Sequence, residues 1–264
     1  MIYYPLSTFM MAGIREILLI STPEDTPRFE RLFGNGKSLG LQISYAVQAN
    51  PRGLADAFIV GASFVGNNPV ALILGDNLFY GNELPQLLAK GMTLTKGGLI
   101  FGYEVRDPER YGVVEFDANG RAISIEEKPS LPKSRFAVPG LYFYGPEVVS
   151  IAKNLKPSKR GEIEITDIHQ ILLQEQRLTV EIMGRGFAWL DTGTFDALQK
   201  AASFVQAIQD RQGIQVGCIE EIAYKNGWIS KDLLILHALK YKNNDYGAYL
   251  TRILDSERAV AGIE

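Results

Sequence analysis

Cysteine occurs once, at Cys218, and histidine twice, at His169 and His237, in 264 residues. A lone cysteine cannot close an intrachain disulfide. Two histidines far apart, neither beside a nucleophile motif, provide no zinc-ligand spacing and no Ser/His/Asp or Cys/His centre. Excess charge is also missing: 27 Lys and Arg stand against 30 Asp and Glu, a net charge of −3, with no basic block. The electrostatic footprint of a nucleic-acid-binding protein is therefore absent. No apolar run approaches the ~18 residues that point to a membrane span. The N-terminus lacks a basic leader and carries Pro5 early, so it does not read as a signal peptide. Internal repeats, low-complexity segments and Ser/Pro-rich linkers are absent too. A globular protein of the reducing cytoplasm is expected, and its 46% hydrophobic residues suit a single domain over 1–264.

What is present is an alternation of helix and strand patterns. Ile2, Tyr3, Leu6, Phe9, Met10 and Ile14 follow helical spacing, and Gly13 hands over to a short strand, Glu16–Ser21. A helix near Thr26–Phe33, a strand near Gln42–Val47, a helix from Gly53 to about Phe64 and the apolar strand Val70–Leu74 follow. Such runs predict a parallel sheet covered on both faces. A helix near Leu84–Ala89, a strand near Leu99–Val105, and the strands Val113–Phe116 and Ala122–Glu126 come next, the last two joined through Asn119-Gly120 as a hairpin. One strand over Phe136–Tyr144, helices from Pro146 and Thr166, and strands Leu178–Met183 and Phe187–Leu190 complete a mixed α/β sheet. From Thr194 the pattern is mostly helical, giving a helical C-terminal section of about 194–264.

Ligands of open α/β sheets bind beyond the carboxyl ends of the strands. Asp76 follows the run Val70–Gly75, and Asp191 follows Phe187–Leu190, so two hard oxygen ligands end two strands in a way that suits Mg²⁺ with substrate phosphates. The plainer alternative is that each Asp starts a turn or caps a helix. Lys128, ahead of Pro129, and Arg160, in a polar stretch before a carboxylate-rich segment, are phosphate candidates: a point charge and a bidentate fork. They read equally well as a solvated strand end and a surface pair with Glu162 or Glu164. Glu126 and Glu127 alternate along their strand, so one faces the working side and can accept hydrogen bonds from hydroxyls. Gln48 offers donor and acceptor to a base edge, and Gly53 permits close backbone approach. The aromatic runs Tyr142–Tyr144 and Phe187–Trp189 read as core strand.

Gly75-Asp-Asn-Leu-Phe-Tyr-Gly81, Arg110-Tyr-Gly-Val-Val-Glu-Phe-Asp117, Ile125-Glu-Glu-Lys-Pro129, Gly140-Leu-Tyr-Phe-Tyr144, Arg160-Gly-Glu-Ile-Glu-Ile-Thr-Asp167 and Trp189-Leu-Asp-Thr-Gly-Thr194 form an ordered set. In that set the whole chain resembles the sugar-phosphate nucleotidyltransferases. The resemblance implies a Rossmann-like mixed sheet flanked by helices, with an inserted sugar-binding hairpin region. It implies Mg²⁺-dependent transfer of a thymidylyl group from dTTP to glucose 1-phosphate, giving dTDP-glucose and pyrophosphate, in a homotetramer that uses its C-terminal helices for subunit contacts. On it, Asp76 and Asp191 are metal ligands, and Lys128 and Arg160 hold the sugar phosphate. Gly112, Glu127, Val138, Tyr142 and Glu162 line the glucose site, and Gln48 and Gly53 meet the thymine. Gly81 and Arg185 fall at a regulatory nucleotide site between subunits. A sugar phosphate is mostly dianionic at pH 7 and needs little help from a general base, so a catalytic histidine is not required.

Three departures stand out. Pro139 replaces the family's usual threonine beside the sugar site. Ala49-Asn50 replaces Pro-Ser after the base-reading glutamine. The family's opening strand and Gly-x-Gly-Thr-Arg-Leu loop have no counterpart before Met1-Ile-Tyr-Tyr-Pro5, so Met1 is expected not to be the natural start, and the 264-residue chain is expected to be poorly stable and weakly active. Two rivals follow: a non-catalytic sugar-phosphate-binding or regulatory subunit, and a relative that uses UTP, since one methyl discriminates by only ~1–3 kcal/mol.

Overall fold

A computed structural model describes the backbone of residues 1–261 and the side chains of residues 1–255. Helix α1 (Tyr3–Met11) buries Leu6 and Met10. The chain then turns through Gly13, at φ +82°, into β1 (Glu16–Ser21). Helix α2 (Thr26–Phe33) returns it to β2 (Gln42–Val47), parallel to β1 with Glu16 opposite Gln42. The single helix expected over residues 53–64 is instead two, α3 (Asp56–Val60) and α4 (Ala62–Val65). Gly53 has φ +104°, outside the helical region, and Gly61 breaks the helix where the backbone lies against β1, 3.1 Å from a built Cβ to Leu18.

The main sheet collects β3 (Val70–Ile73), β5 (Gly98–Glu104), β6 (Gly112–Phe116), β7 (Ala122–Glu127), β8 (Phe136–Ala137), β9 (Leu141–Tyr144) and β10 (Leu178–Met183). Their order is β3-β9-β5-β8-β6-β7, with β10 parallel to β5. The continuous strand expected over residues 136–144 is broken at Val138-Pro139-Gly140. Pro139 has no N–H for the ladder, and the Gly140 amide donates to Asn77 Oδ1 at 3.1 Å instead. The hairpin β6–β7 forms as expected, though its turn is longer than Asn-Gly alone: the Asp117 carboxylate accepts from the amides of Asn119 and Arg121, and the register shifts at Glu115/Phe116. An unanticipated strand, β4 (Asn77–Tyr80), pairs antiparallel with β11 (Ala188–Asp191).

Helices α5 (Leu84–Met92), α6 (Val148–Asn154) and α7 (Ile165–Gln174) cover the main sheet. The C-terminal section is α8 (Phe195–Gln212), α9 (Ile219–Lys225), α10 (Lys231–Lys240) and α11 (Asp245–Ala261). Apolar side chains gather in three clusters. One joins β1, β2 and α1 to the C-terminal helices around Met10, Ile43, Leu234 and Leu250. The other two use alternate residues of β9, with Tyr142 and Tyr144 in one and Leu141 and Phe143 in the other, as the two-residue strand period requires.

The strands do not close into one sheet. Among the described residues β1 pairs only with β2, and β3 only with β9. Between them lies a cavity of about 440 Å³ lined by Leu18, Ile20, Phe58, Val70, Leu72 and Phe143. The carbonyls of Arg15 and Ser21 accept from Gln42 and Gln48, so by alternation the backbone groups of Glu16, Leu18 and Ile20 point into this seam. Among the described residues no helix is long and apolar enough to cross a membrane.

Candidate active site

Asp76 sits in the turn between β3 and β4, and Asp191 ends β11, so the β4–β11 pairing brings both to one corner. Thr192 fixes their relation: its amide and hydroxyl both donate to the Asp76 carbonyl, at 3.0 and 2.7 Å. A methyl group built on Gly193 would lie 3.1 Å from Asp191 Oδ1 and 3.6 Å from Asp76 Oδ2. The two carboxylates therefore converge on the space that glycine leaves open. Among the described residues no group of three or more His, Cys, Asp or Glu is arranged to hold a metal ion. Two oxygens at an open corner fit Mg²⁺, which draws its remaining ligands from phosphates and water, better than a cation that needs a full protein cage.

The turn and cap readings hold only in part. Asp191 Oδ1 accepts from the Gly193 amide at 2.9 Å, but the cap of α8 is Thr194, whose hydroxyl accepts from Ala197. Asp76 is braced by Asn77 Nδ2 at 2.8 Å. Asn77, buried, also accepts from Trp189 Nε1 and from the Gly140 amide through Oδ1. One amide side chain thus ties β4, β11 and the β8–β9 break together.

Arg110 and Tyr111, just before β6, face Asp191: Arg110 Nη2 lies 3.8 Å from Asp191 Oδ2. Burial and then the Asp191 charge push the Tyr111 hydroxyl up to about 12. It stays a neutral hydrogen-bonding group beside that carboxylate.

The sugar-side candidates meet on the adjacent face. Gly112 is opposite Glu127 in the β6–β7 ladder. A methyl on Gly112 would lie 3.3 Å from Thr166 Oγ1, 3.5 Å from Glu127 Oε2 and 3.9 Å from Val138 Cβ. The Thr166 hydroxyl, at the start of α7, donates to Glu127. Glu127 is thus the working-side member of its pair, while Glu126 points away to Lys133. Buried Tyr142 has its phenol pKa raised by burial and then by the charges of Glu127 and Asp76.

Lys128 leaves β7 at φ +43°, a left-handed backbone that a non-glycine residue adopts at a cost. Its amide donates to the Tyr111 carbonyl, and its ammonium lies 4.0 Å from Glu127. Arg160 reaches three carboxylates, Glu162 at 3.1 Å, Glu127 at 3.6 Å and Glu164 at 3.7 Å. The surface pair and the working-side position are therefore both true of it.

Gln48 follows β2, and its Nε2 donates to the buried carboxylate of Asp56 at 2.8 Å. The close approach that Gly53 permits is to protein backbone: a methyl there would lie 2.4 Å from the Ile163 carbonyl. Ile163 N donates to the Arg52 carbonyl at 2.6 Å, and Ala55 N to the Ile163 carbonyl. This fastens the 48–56 loop to the strip carrying Arg160 and Glu162. Elsewhere, Gly81 packs on the Phe187 ring, 2.7 Å from a built Cβ, next to the turn that bears exposed Arg185.

Asn77, Arg110, Tyr111, Thr166 and Asp56 carried no assignment from sequence. Asn77 and the Arg-Tyr-Gly run were signalled only by lying next to candidate residues. For Asp56, the i,i+4 spacing from Arg52 is the one local cue.

A nucleotidyl transferase family model matches residues 1–208. The glucose-1-phosphate thymidylyltransferase of Neisseria meningitidis is 55% identical over 96% of this chain and 88% of its own length. That of Mycolicibacterium smegmatis is 54% identical over 97% and 89%. Among solved structures, a glucose-1-phosphate thymidylyltransferase from Bacillus anthracis in complex with sucrose superposes with TM-score 0.70 at 36% identity, covering 77% of this chain and 81% of that one. A UDP-glucose pyrophosphorylase with UDP-glucose, at 24% identity and TM-score 0.68, shares the fold.

Proposed function

The chain belongs to the nucleotidyl transferase family, among its glucose-1-phosphate thymidylyltransferases, and on that premise we propose how its residues divide the reaction. A thymidylyl group passes from dTTP to glucose 1-phosphate. A sugar-phosphate oxygen forms the new bond to the α-phosphorus, and the bond from that phosphorus to the pyrophosphate oxygen breaks. The nucleophile is already anionic, so positioning and charge neutralisation replace a general base. Asp76 and Asp191 hold Mg²⁺, which when bound neutralises phosphate charge. Lys128 and Arg160 bind the phosphate of glucose 1-phosphate, Arg160 exchanging part of its carboxylate contacts for it.

Glu127, fixed by Thr166, accepts from sugar hydroxyls on the floor formed by Gly112, Val138 and Tyr142, with Glu162 at the rim. Gln48 and the loop at Gly53 meet the thymine. Buried Cys218 suits a reducing cytoplasm. Exposed Phe195, Leu198, Leu236 and Leu239 on α8 and α10 suit a homotetramer built through the C-terminal helices.

The observation that carries this reading is the convergence of Asp76 and Asp191 at Gly193, next to the cluster of Glu127, Lys128 and Arg160. The test is to titrate the chain separately with glucose 1-phosphate and with Mg·dTTP, then to follow pyrophosphate release with both present. Saturable binding of each, with release only when both are present, is expected. Binding of the sugar phosphate alone would return the chain to the non-catalytic reading.

A further inference from the structure

The carboxylate of Asp56 is almost wholly buried, with 2% of its side chain exposed, and the reaction outlined above gives it no part. Its two oxygens are taken by neighbours: Oδ1 by the guanidinium of Arg52 and Oδ2 by Gln48 Nε2 at 2.8 Å. Burial alone would raise its pKa. The hydrogen bonds from Arg52 and Gln48, with the Arg52 charge, outweigh burial and hold it below the ordinary carboxylate range. At neutral pH it is therefore an acceptor without a proton to give.

That chemistry decides which way the Gln48 amide faces. Turning the amide over would set Oε1 against an ionised carboxylate, acceptor against acceptor, while leaving Asp56 short of a donor in a buried place. We propose that Asp56 is a positioning residue that locks the Gln48 amide with Oε1 outward, so that Gln48 selects a base carrying an N–H between two carbonyls. This rests on the reading of Gln48 as the base contact. With Oε1 outward, Gln48 accepts from the N3–H of thymine or uracil, and its second Nε2 hydrogen is free for the neighbouring base carbonyl. Cytosine presents the opposite edge, a bare N3 beside an amino group, and would need the overturned amide. The device sorts imide bases from cytosine and leaves the thymine methyl to other groups. Arg52, with 56% of its side chain exposed, pins the carboxylate from the solvent side.

The test compares dissociation constants of Mg·dTTP and Mg·dCTP for the parent chain, Gln48→Ala, Asp56→Asn and Asp56→Glu. The parent is expected to prefer dTTP. Asp56→Asn, which can present either end of its own amide, should cut the dTTP-to-dCTP preference at least about fivefold, the equivalent of one net hydrogen bond, with glucose 1-phosphate binding unchanged. Asp56→Glu should restore part of the preference. A parent-like ratio in Asp56→Asn, together with weakened dTTP binding in Gln48→Ala, overturns the inference alone. No effect of Gln48→Ala on dTTP binding overturns the base-site reading beneath it. Should Asp56→Asn fail to fold, the parent itself decides: the Gln48 side-chain NH₂ resonances should move with the Asp56 carboxyl titration in an acid NMR series. Resonances that ignore that titration also overturn the inference.

Discussion

Thr192 grips the backbone carbonyl of Asp76 with both its amide and its hydroxyl. Because Asp191 immediately precedes Thr192, the carboxylate of the β3–β4 turn and that at the end of β11 are held at one spacing before any ligand arrives. Pre-setting of this kind spares the site the entropy of assembling its ligands during the reaction.

Replacing Asp76 or Asp191 with Asn is expected to lower kcat at least about a hundredfold, because each removes one anionic ligand of a cation that carries several kcal/mol of transition-state charge stabilisation. Thermal stability should stay close to the parent value. Chelation with EDTA should abolish turnover and added Mg²⁺ restore it. Near-normal kcat across a Mg²⁺ titration would remove these residues from the metal site.

Gly193→Ala makes a finer probe. Its methyl would sit 3.1 Å from Asp191 Oδ1 and 3.6 Å from Asp76 Oδ2, in the space assigned to the cation and its water. The apparent Mg²⁺ requirement should rise about tenfold or more, equivalent to ~1.4 kcal/mol, with little change in melting temperature. An unchanged Mg²⁺ dependence would place the cation elsewhere.

Lys128 lets charge and backbone be separated. Lys128→Ala and Lys128→Gly should weaken glucose 1-phosphate binding alike and leave Mg·dTTP binding largely intact. Only glycine relieves the φ of +43°, so Lys128→Gly should be more stable than Lys128→Ala by about 1 kcal/mol. Equal melting temperatures would show that the left-handed turn carries no strain.

His169 governs a stability window in acid. Its ring is fully buried, with Nε2 2.6 Å from the Tyr144 hydroxyl and Nδ1 without a partner, and burial lowers its pKa from 6.5 to about 3. The unfolded chain therefore binds a proton between these values that the native chain refuses. As pH falls below 6.5 this group withdraws roughly 1.4 kcal/mol of stability per pH unit. His169→Gln, which keeps a polar neighbour for Tyr144, should lose stability less steeply from pH 6.5 to 4 in urea melts. Parallel slopes for the two proteins would assign the acid sensitivity to other groups.

Much of this architecture is legible in the sequence because it rests on local pattern. The strands at Glu16–Ser21, Gln42–Val47 and Leu178–Met183 and the helix Thr26–Phe33 fall at their expected bounds, since apolar periodicity marks each one. What escaped depends on partners distant in sequence. The strand Asn77–Tyr80 exists because β11 comes back to it, and the break at Pro139 is completed by a side-chain acceptor on Asn77. The site follows the same division. Asp76, Asp191 and Glu127 stand out at strand ends, whereas Asp56 and Thr166 meet Gln48 and Glu127 from other elements and carry no periodic signature.

The seam between β1 and β3 bears on how accurately the enzyme can measure its substrate. Gln48 follows β2, which belongs to the cluster around Met10 and Leu250, while Asp76 and Asp191 lie on the elements beyond the seam. Rungs of sheet hydrogen bonding would make the span from Gln48 to the two carboxylates a stiff ruler, but among the described residues none joins β1 to β3. The ruler is instead spliced at Ile163, where two backbone bonds and the bare Cα of Gly53 hold the loop to the strip carrying Arg160 and Glu162. A dTTP in contact with Gln48 at one end and the Asp76–Asp191 corner at the other, as proposed above, would span that splice.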